Sequence, residues 1–195
     1  RTYMHGWQVL GHRRWRVVAT EAIEYVLRDL RHPSGGFFSA EDADSEGAEG
    51  SFYVWEVEEV HDVCGDDAEL AIEWYGITEA GNFEGANILH RPIRGDLERP
   101  DAIERCRTAL FASRETRVRP GLDDKVLTEW NGLMLATLAE AAMAFGREDW
   151  LEAARTNGDF LVRNLRRNDG RWLRSWQADT GAHTLGFAAD HAAMI

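Results

Sequence analysis

The sequence predicts an all-α protein made of helical hairpins, with short β-hairpins in the loops between them. Two observations predict this class. Over most of the 195 residues, apolar side chains recur at spacings of three and four, the period of an amphipathic helix. The chain also repeats its own pattern at an offset of 135 positions, as proteins built from repeated helical units do.

The helical pattern is clear from Trp15 to Leu30, after which Pro33 and two glycines end it. Comparable amphipathic stretches predict further helices over 56–64, 67–75, 100–114, 124–145 and 148–165. Short segments between the helices have the aromatic and aliphatic content of strands, at 36–39, 51–55, 87–90 and 172–176. We therefore expect a helical protein whose loops contain hairpins.

The internal repeat makes the architecture more specific. Shifting the chain by 135 positions aligns Gly11 with Gly146 and Trp15 with Trp150. Further aligned pairs are Ala19 with Ala154, Tyr25 with Phe160, Leu30 with Leu165, Gly35 with Gly170 and Phe37 with Trp172. Helical hairpins bury their apolar faces by stacking on neighbours, so the repeat predicts a solenoid or a closed ring. A ring gathers the loops that follow each second helix at one end, and we expect a site there.

The composition excludes several kinds of partner. The chain has 22 Lys and Arg against 34 Asp and Glu, and its net charge of −12 repels a phosphate backbone, so we expect no nucleic-acid partner. No apolar run approaches the roughly 20 residues of a membrane span, so we expect a cytoplasmic protein without membrane contact. Cys64 and Cys106 are far apart and form no Cys-x-x-Cys motif, which favours two small buried residues over a disulfide, zinc or dithiol site. We predict neither a metal ion nor a cofactor.

The segment 41–49 holds five carboxylates in nine positions. Asp42, Asp44 and Glu46 imitate the start of a calcium loop, but Tyr53 stands where such a loop needs its final Glu. The same three residues are candidates for binding a sugar substrate, because sugar chemistry uses carboxyl groups in different environments. The remaining interpretation is a solvated hairpin tip or a set of backbone caps.

Lys125 is the only lysine in a chain with 21 arginines, which suggests that this position needs a compact ammonium group. We predict that Asp123 is the N-cap of the longest helix and that Asp124 lies in its first turn. Asp124 and Lys125 are also candidate catalytic residues. Asn131 shares a helix face with Asp124, and Trp130 is beside it, so both are candidates for binding a sugar ring. A helix that packs against a polar loop has the same pattern.

The segment GNFEGANILHRP, at 81–92, supplies polar side chains on a loop and a short strand. His90 is the best single candidate for proton transfer, because imidazole titrates near neutrality. Glu84 is a second candidate catalytic residue, and Asn87 is a candidate for binding substrate. The alternative for His90 is a satisfied packing role.

Three strings, at 35–60, 81–92 and 119–142, carry a resemblance to a known family. In this order they resemble the thioredoxin-domain-containing family that includes spermatogenesis-associated protein twenty. The stretch 146–195 is similar as well, although His191 follows Asp190 where the family is expected to have Tyr. The resemblance implies a six-hairpin α/α toroid related to N-acylglucosamine 2-epimerases and six-hairpin glycosidases, preceded by a thioredoxin-like domain that these residues lack.

The resemblance further implies that residues 1–195 are a segment of a single toroid domain, truncated at both ends. Open apolar faces would then favour self-association of the isolated chain. We expect such a toroid to bind or process a small sugar-like substrate, by epimerisation, isomerisation or hydrolysis. The residues expected to line its pocket are Asp42, Asp44, Glu46, Glu84, His90, Asp124, Lys125, Trp130 and Asn131. The alternative is a non-catalytic scaffold or ligand-binding module that supports the thioredoxin-like domain.

Overall fold

The computed structural model of the protein describes residues 1–92 and 99–195. The α-helices in that part of the chain are α1 (Thr2–Leu10), α2 (Arg13–Asp29), α3 (Val57–Cys64), α4 (Ala68–Tyr75), α5 (Asp101–Arg114), α6 (Thr128–Phe145), α7 (Glu148–Leu165) and α8 (Ala188–Ala193). The strands are β1 (Ala40–Glu41), β2 (Asp44–Ser45), β3 (Ala48–Glu49), β4 (Leu122–Asp123), β5 (Val126–Leu127), β6 (Leu173–Gln177) and β7 (Gly181–Leu185). The protein is therefore mostly helical, with short antiparallel strands, as the sequence predicts.

The chain divides into two compact units. The first unit combines Arg1–Ala40 with Leu122–Ile195, and the second unit is Glu41–Gly121. Helices α1, α2, α6, α7 and α8 belong to the first unit, and α3, α4 and α5 belong to the second. In the described ranges, no helix has both the length and the apolarity needed to cross a membrane.

Two helical hairpins make up most of the first unit. Helix α1 packs on α2, and α6 packs on α7. Gly11 and Gly146 follow the first helix of each hairpin and adopt the left-handed conformation, with φ of 70° and 68°. The apolar faces of the hairpins meet in one core that includes Ile23, Leu138 and Trp150. The hairpins therefore bury their apolar faces against each other, as the repeat predicts.

The repeat is present in the backbone hydrogen bonds of the two hairpins. After α2, the amide of His32 donates to the carbonyl of Gly36 at 2.8 Å. After α7, the amide of Arg167 donates to the carbonyl of Arg171 at 2.9 Å. A β-bridge closes each turn, and the bridges join Arg31 with Phe37 and Arg166 with Trp172. All these positions correspond at the offset of 135, so the internal repeat is confirmed.

The beginning of α6 differs from the prediction. β5 pairs antiparallel with β6, which in turn pairs with β7, and α6 begins only at Thr128. Asp123 lies in β4, and Asp124 lies between β4 and β5. The N-cap position predicted for Asp123 and the first-turn position predicted for Asp124 are therefore wrong. Cross-strand hydrogen bonds hold the chain before α6 extended, and these come from residues far away in the sequence.

Helices α3, α4 and α5 form the core of the second unit, around Val60, Ala71 and Leu110. The predicted strands 51–55 and 87–90 are not regular strands in this unit. They share a β-bridge between Trp55 and Asn87. The guanidinium of Arg117 donates hydrogen bonds to the carbonyls of Phe52 and Val54, at 3.0 and 2.7 Å. A side chain thus satisfies carbonyls that a neighbouring strand would otherwise use.

Cys64 and Cys106 belong to the same core cluster of the second unit. Cys106 is buried, and its Sγ lies 3.7 Å from the carbonyl oxygen of Asp67. Burial raises the pKa of Cys64 to about 12, and its hydrogen bond with Cys106 adds to the rise. Cys64 is therefore a protonated thiol near neutral pH. The fold makes the two cysteines neighbours, although they are far apart in the sequence, and both thiols are free.

Candidate functional site

Asn131 lies in α6 with its side chain buried, at 1% exposure. Its Oδ1 accepts hydrogen bonds from the amide of Phe37 at 2.7 Å and from Nδ2 of Asn157 at 3.0 Å. Its Nδ2 donates to the carbonyls of Phe37 and Leu127, at 3.0 and 2.9 Å. All the hydrogen-bonding capacity of the amide is used. Asn131 therefore ties α6 to α7 and to the segment after α2, and it has no free atom for a substrate.

Asn87 has a comparable position in the second unit. It is buried, and its Oδ1 accepts from the amide of Thr78 at 3.0 Å. Its Nδ2 donates to the carbonyls of Trp55 and Thr78, at 3.2 and 3.0 Å. These bonds make Asn87 a structural residue that holds the loop after α4 against the segment before α3.

Lys125 forms an ion pair with a near neighbour in the sequence. Its Nζ lies 2.7 Å from Oδ1 of Asp123, and 45% of the lysine side chain is exposed. The hydrogen bond from Lys125 holds the pKa of Asp123 below its ordinary value. Asp124 instead accepts a hydrogen bond from Nε2 of Gln177 at 2.8 Å, at the end of β6. Both candidates thus lie beside the β5–β6 pair.

Asp42, Asp44 and Glu46 lie on and beside a hairpin of the second unit, and all three are exposed. Strands β2 and β3 pair antiparallel, and Glu46 and Gly47 form the turn between them, with φ of 54° and 80°. Positive φ at both central residues is the geometry of a tight two-residue hairpin turn. The segment has the form of a solvated hairpin tip.

Glu41 is the partly buried carboxylate of the same segment. It accepts a hydrogen bond from the hydroxyl of Tyr53 at 2.9 Å and pairs with Arg119 at 3.0 Å. Burial and the hydrogen bond to Glu41 raise the pKa of Tyr53 to about 12. Arg119 thus balances the charge of Glu41 within the protein, in contrast to the exposed carboxylates that follow in the sequence.

Glu84 also occupies a turn. Phe83 and Ala86 exchange two backbone hydrogen bonds, at 3.0 and 2.9 Å, and Glu84 has a φ of 48° between them. A Cβ atom at Gly50 would meet the ring of Phe83 at 3.2 Å. The turn that carries Glu84 therefore packs beside the end of the β2–β3 hairpin.

His90 is exposed at the end of the same segment. Its Nδ1 lies 3.3 Å from Nδ2 of Asn82 and 3.4 Å from the carbonyl oxygen of Ile88. A Cβ atom at Gly76 would approach the imidazole Cε1 to 2.8 Å, so the ring packs on the end of α4. His90 is thus partly engaged by its own loop and open to solvent on the remaining side.

A charged cluster in the first unit was not predicted as a site. Arg174 of β6 lies between two carboxylates, and its Nη1 donates to Oε2 of Glu129 at 3.2 Å and to Oδ1 of Asp190 at 2.8 Å. Burial works against the charged guanidinium, but the hydrogen bonds to Glu129 and Asp190 hold the pKa of Arg174 above its ordinary value. We call Glu129, Arg174 and Asp190 the α6–α8 cluster.

Asp190 is fully buried and connects the beginnings of two helices. Its Oδ1 also accepts a hydrogen bond from the amide of Glu129 in α6, at 3.0 Å. Its Oδ2 accepts one from the amide of Phe187, immediately before α8, at 2.8 Å. Amides at helix starts have no partner within their own helix and favour an anion. In this cluster the anion is supplied by the protein itself.

One aromatic ring beside the cluster is exposed, and so is the aromatic residue that follows Glu129 in the sequence. Phe187 is 60% exposed, and the guanidinium of Arg174 lies 5.1 Å from the centre of its ring. Trp130, which follows Glu129 in α6, is 50% exposed. In the described part of the chain, Arg174 uses only Nη1 for hydrogen bonds to the protein. Its Nε and Nη2 are therefore donors that a ligand can use.

The sequence contains a weak signal for this cluster. Asp190 stands three residues after Phe187 and accepts a hydrogen bond from its amide, which is the N3 half of a capping box. Glu129 and Arg174 carry no comparable signal, because only the pairing of β5 with β6 brings them together.

The candidate residues named from the sequence are distributed over both units. Asp42, Asp44, Glu46, Glu84, Asn87 and His90 belong to the second unit, and Asp124, Lys125, Trp130 and Asn131 belong to the first. A pocket shared by residues of both groups stays a prediction. Among residues 1–92 and 99–195, no group of three or more His, Cys, Asp or Glu side chains is arranged to hold a metal ion.

Comparison with known proteins finds similarity to mammalian spermatogenesis-associated protein 20 and to a protein of Caenorhabditis elegans. No protein-family model matches the chain. The chain is 32% identical to human spermatogenesis-associated protein 20, over 99% of this chain and 30% of the human protein, and 31% identical to the mouse protein with the same coverage. An uncharacterized protein of Caenorhabditis elegans is 25% identical over 73% of this chain and 24% of its own length. The chain thus spans about 30% of the length of the mammalian relatives, and over nearly all its residues it is similar to one part of spermatogenesis-associated protein 20.

Proposed function

We propose that the protein binds a carbohydrate in the first unit, at a site formed by Glu129, Arg174, Trp130 and Phe187. The observation that carries the proposal is the position of Arg174, which is held by two carboxylates beside the exposed ring of Phe187. A sugar ring needs donors and acceptors for its hydroxyl groups and an aromatic surface for its apolar face. The four residues supply both kinds of contact.

Each polar group has a defined part in this proposal. Arg174 donates from Nε and Nη2 to hydroxyl oxygens. Glu129 accepts from hydroxyl groups through Oε1, because Oε2 is bonded to Arg174 and 31% of the side chain is exposed. If the protein also transforms the sugar, Glu129 is the candidate for proton transfer in this site. Epimerisation, isomerisation and hydrolysis all need such a group. We place this activity in the cytoplasm.

Calorimetric titration of the chain with common mono- and disaccharides tests the proposal. We expect binding by at least one sugar, and we expect Trp130→Ala to weaken it about fivefold, the size of one aromatic contact. Leu133→Ala is the matched control, because Leu133 lies on the same helix and is 49% exposed. The absence of heat with every sugar, or an equal loss in both variants, would contradict the proposal.

A non-catalytic scaffold is the second candidate. It is supported by Asn87, Asn131 and Lys125, whose polar atoms bond to the protein itself. In a scaffold these residues hold loops in place, and the fold carries a thioredoxin-like domain elsewhere in the full protein. The calorimetric screen separates the two functions: a non-catalytic scaffold gives no heat with any sugar, whereas the proposed site binds at least one.

A further inference from the structure

The α6–α8 cluster already contains the anion that an anion-binding site would take up. Asp190 accepts hydrogen bonds from two amides at helix starts and from the guanidinium of Arg174. Helix-start amides and arginine are the donors that proteins use to bind phosphate and carboxylate groups. Here the two amides and Nη1 of Arg174 are directed at an internal carboxylate that is completely buried. A phosphate group on a ligand would have to displace the carboxylate of Asp190, which is part of the protein, from these donors.

The charge of the cluster also disfavours a second anion. Two carboxylates face one guanidinium, which leaves one net negative charge. The hydrogen bonds to Glu129 and Asp190 outweigh the effect of burial and hold the pKa of Arg174 above its ordinary value. The net charge of the whole chain is −12, so its electrostatic field also repels anions. An amine on the ligand would instead be attracted.

The exposed aromatic rings also favour neutral or positively charged groups of a ligand over anions. The face of an aromatic ring is the negative part of its quadrupole, so it attracts C–H groups and ammonium groups and repels anions. Trp130 and Phe187 each expose at least half of their surface. The exposed oxygen of Glu129 adds an acceptor for hydroxyl or ammonium hydrogens.

We propose that the site formed by Glu129, Arg174, Trp130 and Phe187 takes neutral or amine-bearing sugars and excludes sugar phosphates and sugar acids, because Asp190 occupies the place of the anion. This inference rests on the proposed carbohydrate function and names the class of its ligand. Asp190 is a positioning residue in this site: it does not touch the ligand, and it sets the charge that Arg174 presents.

A matched panel of ligands tests the inference at low ionic strength, where charge effects are largest. The panel is glucose, glucosamine, glucose 6-phosphate and glucuronate, titrated into the chain with calorimetry and with NMR of the Glu129 and Phe187 amides. We expect the dissociation constants of glucosamine and glucose to be at least about tenfold lower than those of glucose 6-phosphate and glucuronate. An anionic member that binds as tightly as glucose overturns the inference and leaves the proposed function standing. If no member of the panel and no sugar of the wider screen binds, the proposed function fails, and the inference fails with it.

Charge-removing variants test the part of Asp190. Asp190→Asn keeps the shape of the side chain and removes its charge, and we expect the preference for glucose over glucose 6-phosphate to fall about tenfold. Glu129→Gln removes the other negative charge without changing the buried caps, and it decides the matter if Asp190→Asn does not fold. Asp179→Asn is the control for net charge, because Asp179 is exposed at the turn between β6 and β7. An unchanged preference in the folded variants of the cluster, or an equal change in the control, overturns the inference.

Discussion

The carboxylate of Asp190 accepts a hydrogen bond from the backbone amide of Glu129 at 3.0 Å, and this bond joins the beginning of α8 to the beginning of α6. The two helices also approach closely further along, where a Cβ atom at Gly132 would lie 2.6 Å from the carbonyl oxygen of Ala193. Asp190 thus stabilises a helix contact and sets the charge of the proposed site at the same time.

Replacement of Asp190 by Ala is expected to lower the free energy of unfolding by about 3 kcal/mol, because two amides lose their acceptor and Arg174 loses a buried partner. Urea denaturation followed by circular dichroism measures the change. Asp179→Ala, at an exposed turn, is the control and should change stability by less than about 0.5 kcal/mol. Equal effects of the two substitutions would show that Asp190 is not a structural link.

Asn131→Ala is expected to cost about 2–3 kcal/mol of unfolding free energy, since it leaves the amide and the carbonyl of Phe37 buried without a partner. The comparison variant is Asn168→Ala, at an exposed position after α7, with an expected change below about 0.5 kcal/mol. Both values come from the same denaturation experiment. A substrate-binding role for Asn131 would instead predict a stable variant that has lost affinity for sugar.

Gly35→Ala and Gly11→Ala separate crowding from backbone strain. Both glycines have positive φ, so each substitution should cost about 1 kcal/mol for the strained conformation. At Gly11 a Cβ atom meets nothing within 4 Å, whereas at Gly35 it would lie 2.7 Å from the carbonyl oxygen of Thr156. We therefore expect Gly35→Ala to cost at least about 2 kcal/mol more than Gly11→Ala. Thermal unfolding of the two variants tests this difference, and equal melting temperatures would contradict it.

Stability is expected to fall as pH rises above about 9, because the pKa of Cys64 is raised from 9.0 to about 12 by burial and by its contact with Cys106. A thiol whose pKa is higher in the folded state contributes stability below its unfolded pKa and loses it as pH rises through the folded value. Urea denaturation at pH values from 8 to about 10.5 covers the first part of this window. Cys64→Ala should flatten the dependence, while Tyr53→Phe is the comparison for the other residue whose pKa is raised to about 12. A slope that Cys64→Ala leaves unchanged would contradict this assignment.

Much of the helical architecture was predictable because its signals are local. The helices at 57–64, 68–75, 101–114 and 148–165 follow from amphipathic spacing, and the repeat follows from the matched glycine and tryptophan positions. The start of α6 was not predictable in the same way. Val126 and Leu127 fit a helix by composition, and they are extended because they pair with β6.

The candidate site likewise combines features that the sequence predicts with features that depend on tertiary contacts. The polar character of Asn131 and the exposed aromatic Trp130 are both visible in the sequence. Whether an asparagine on a helix faces solvent or joins three segments in the interior depends on which neighbours pack against it, and for Asn131 those neighbours are Phe37 and Asn157.

The sequence by itself determined the helical class, the period of the repeat and the acidic charge, because each depends on residues close together or on a sum over the chain. Only the tertiary structure decided the partners of the charges. Arg174 meets Glu129 and Asp190 because strand pairing and helix packing bring three distant segments together. Lys125, the most unusual residue in the composition, pairs with Asp123 beside it. The interactions that define the candidate site are long-range, and periodicity along the chain contains no information about them.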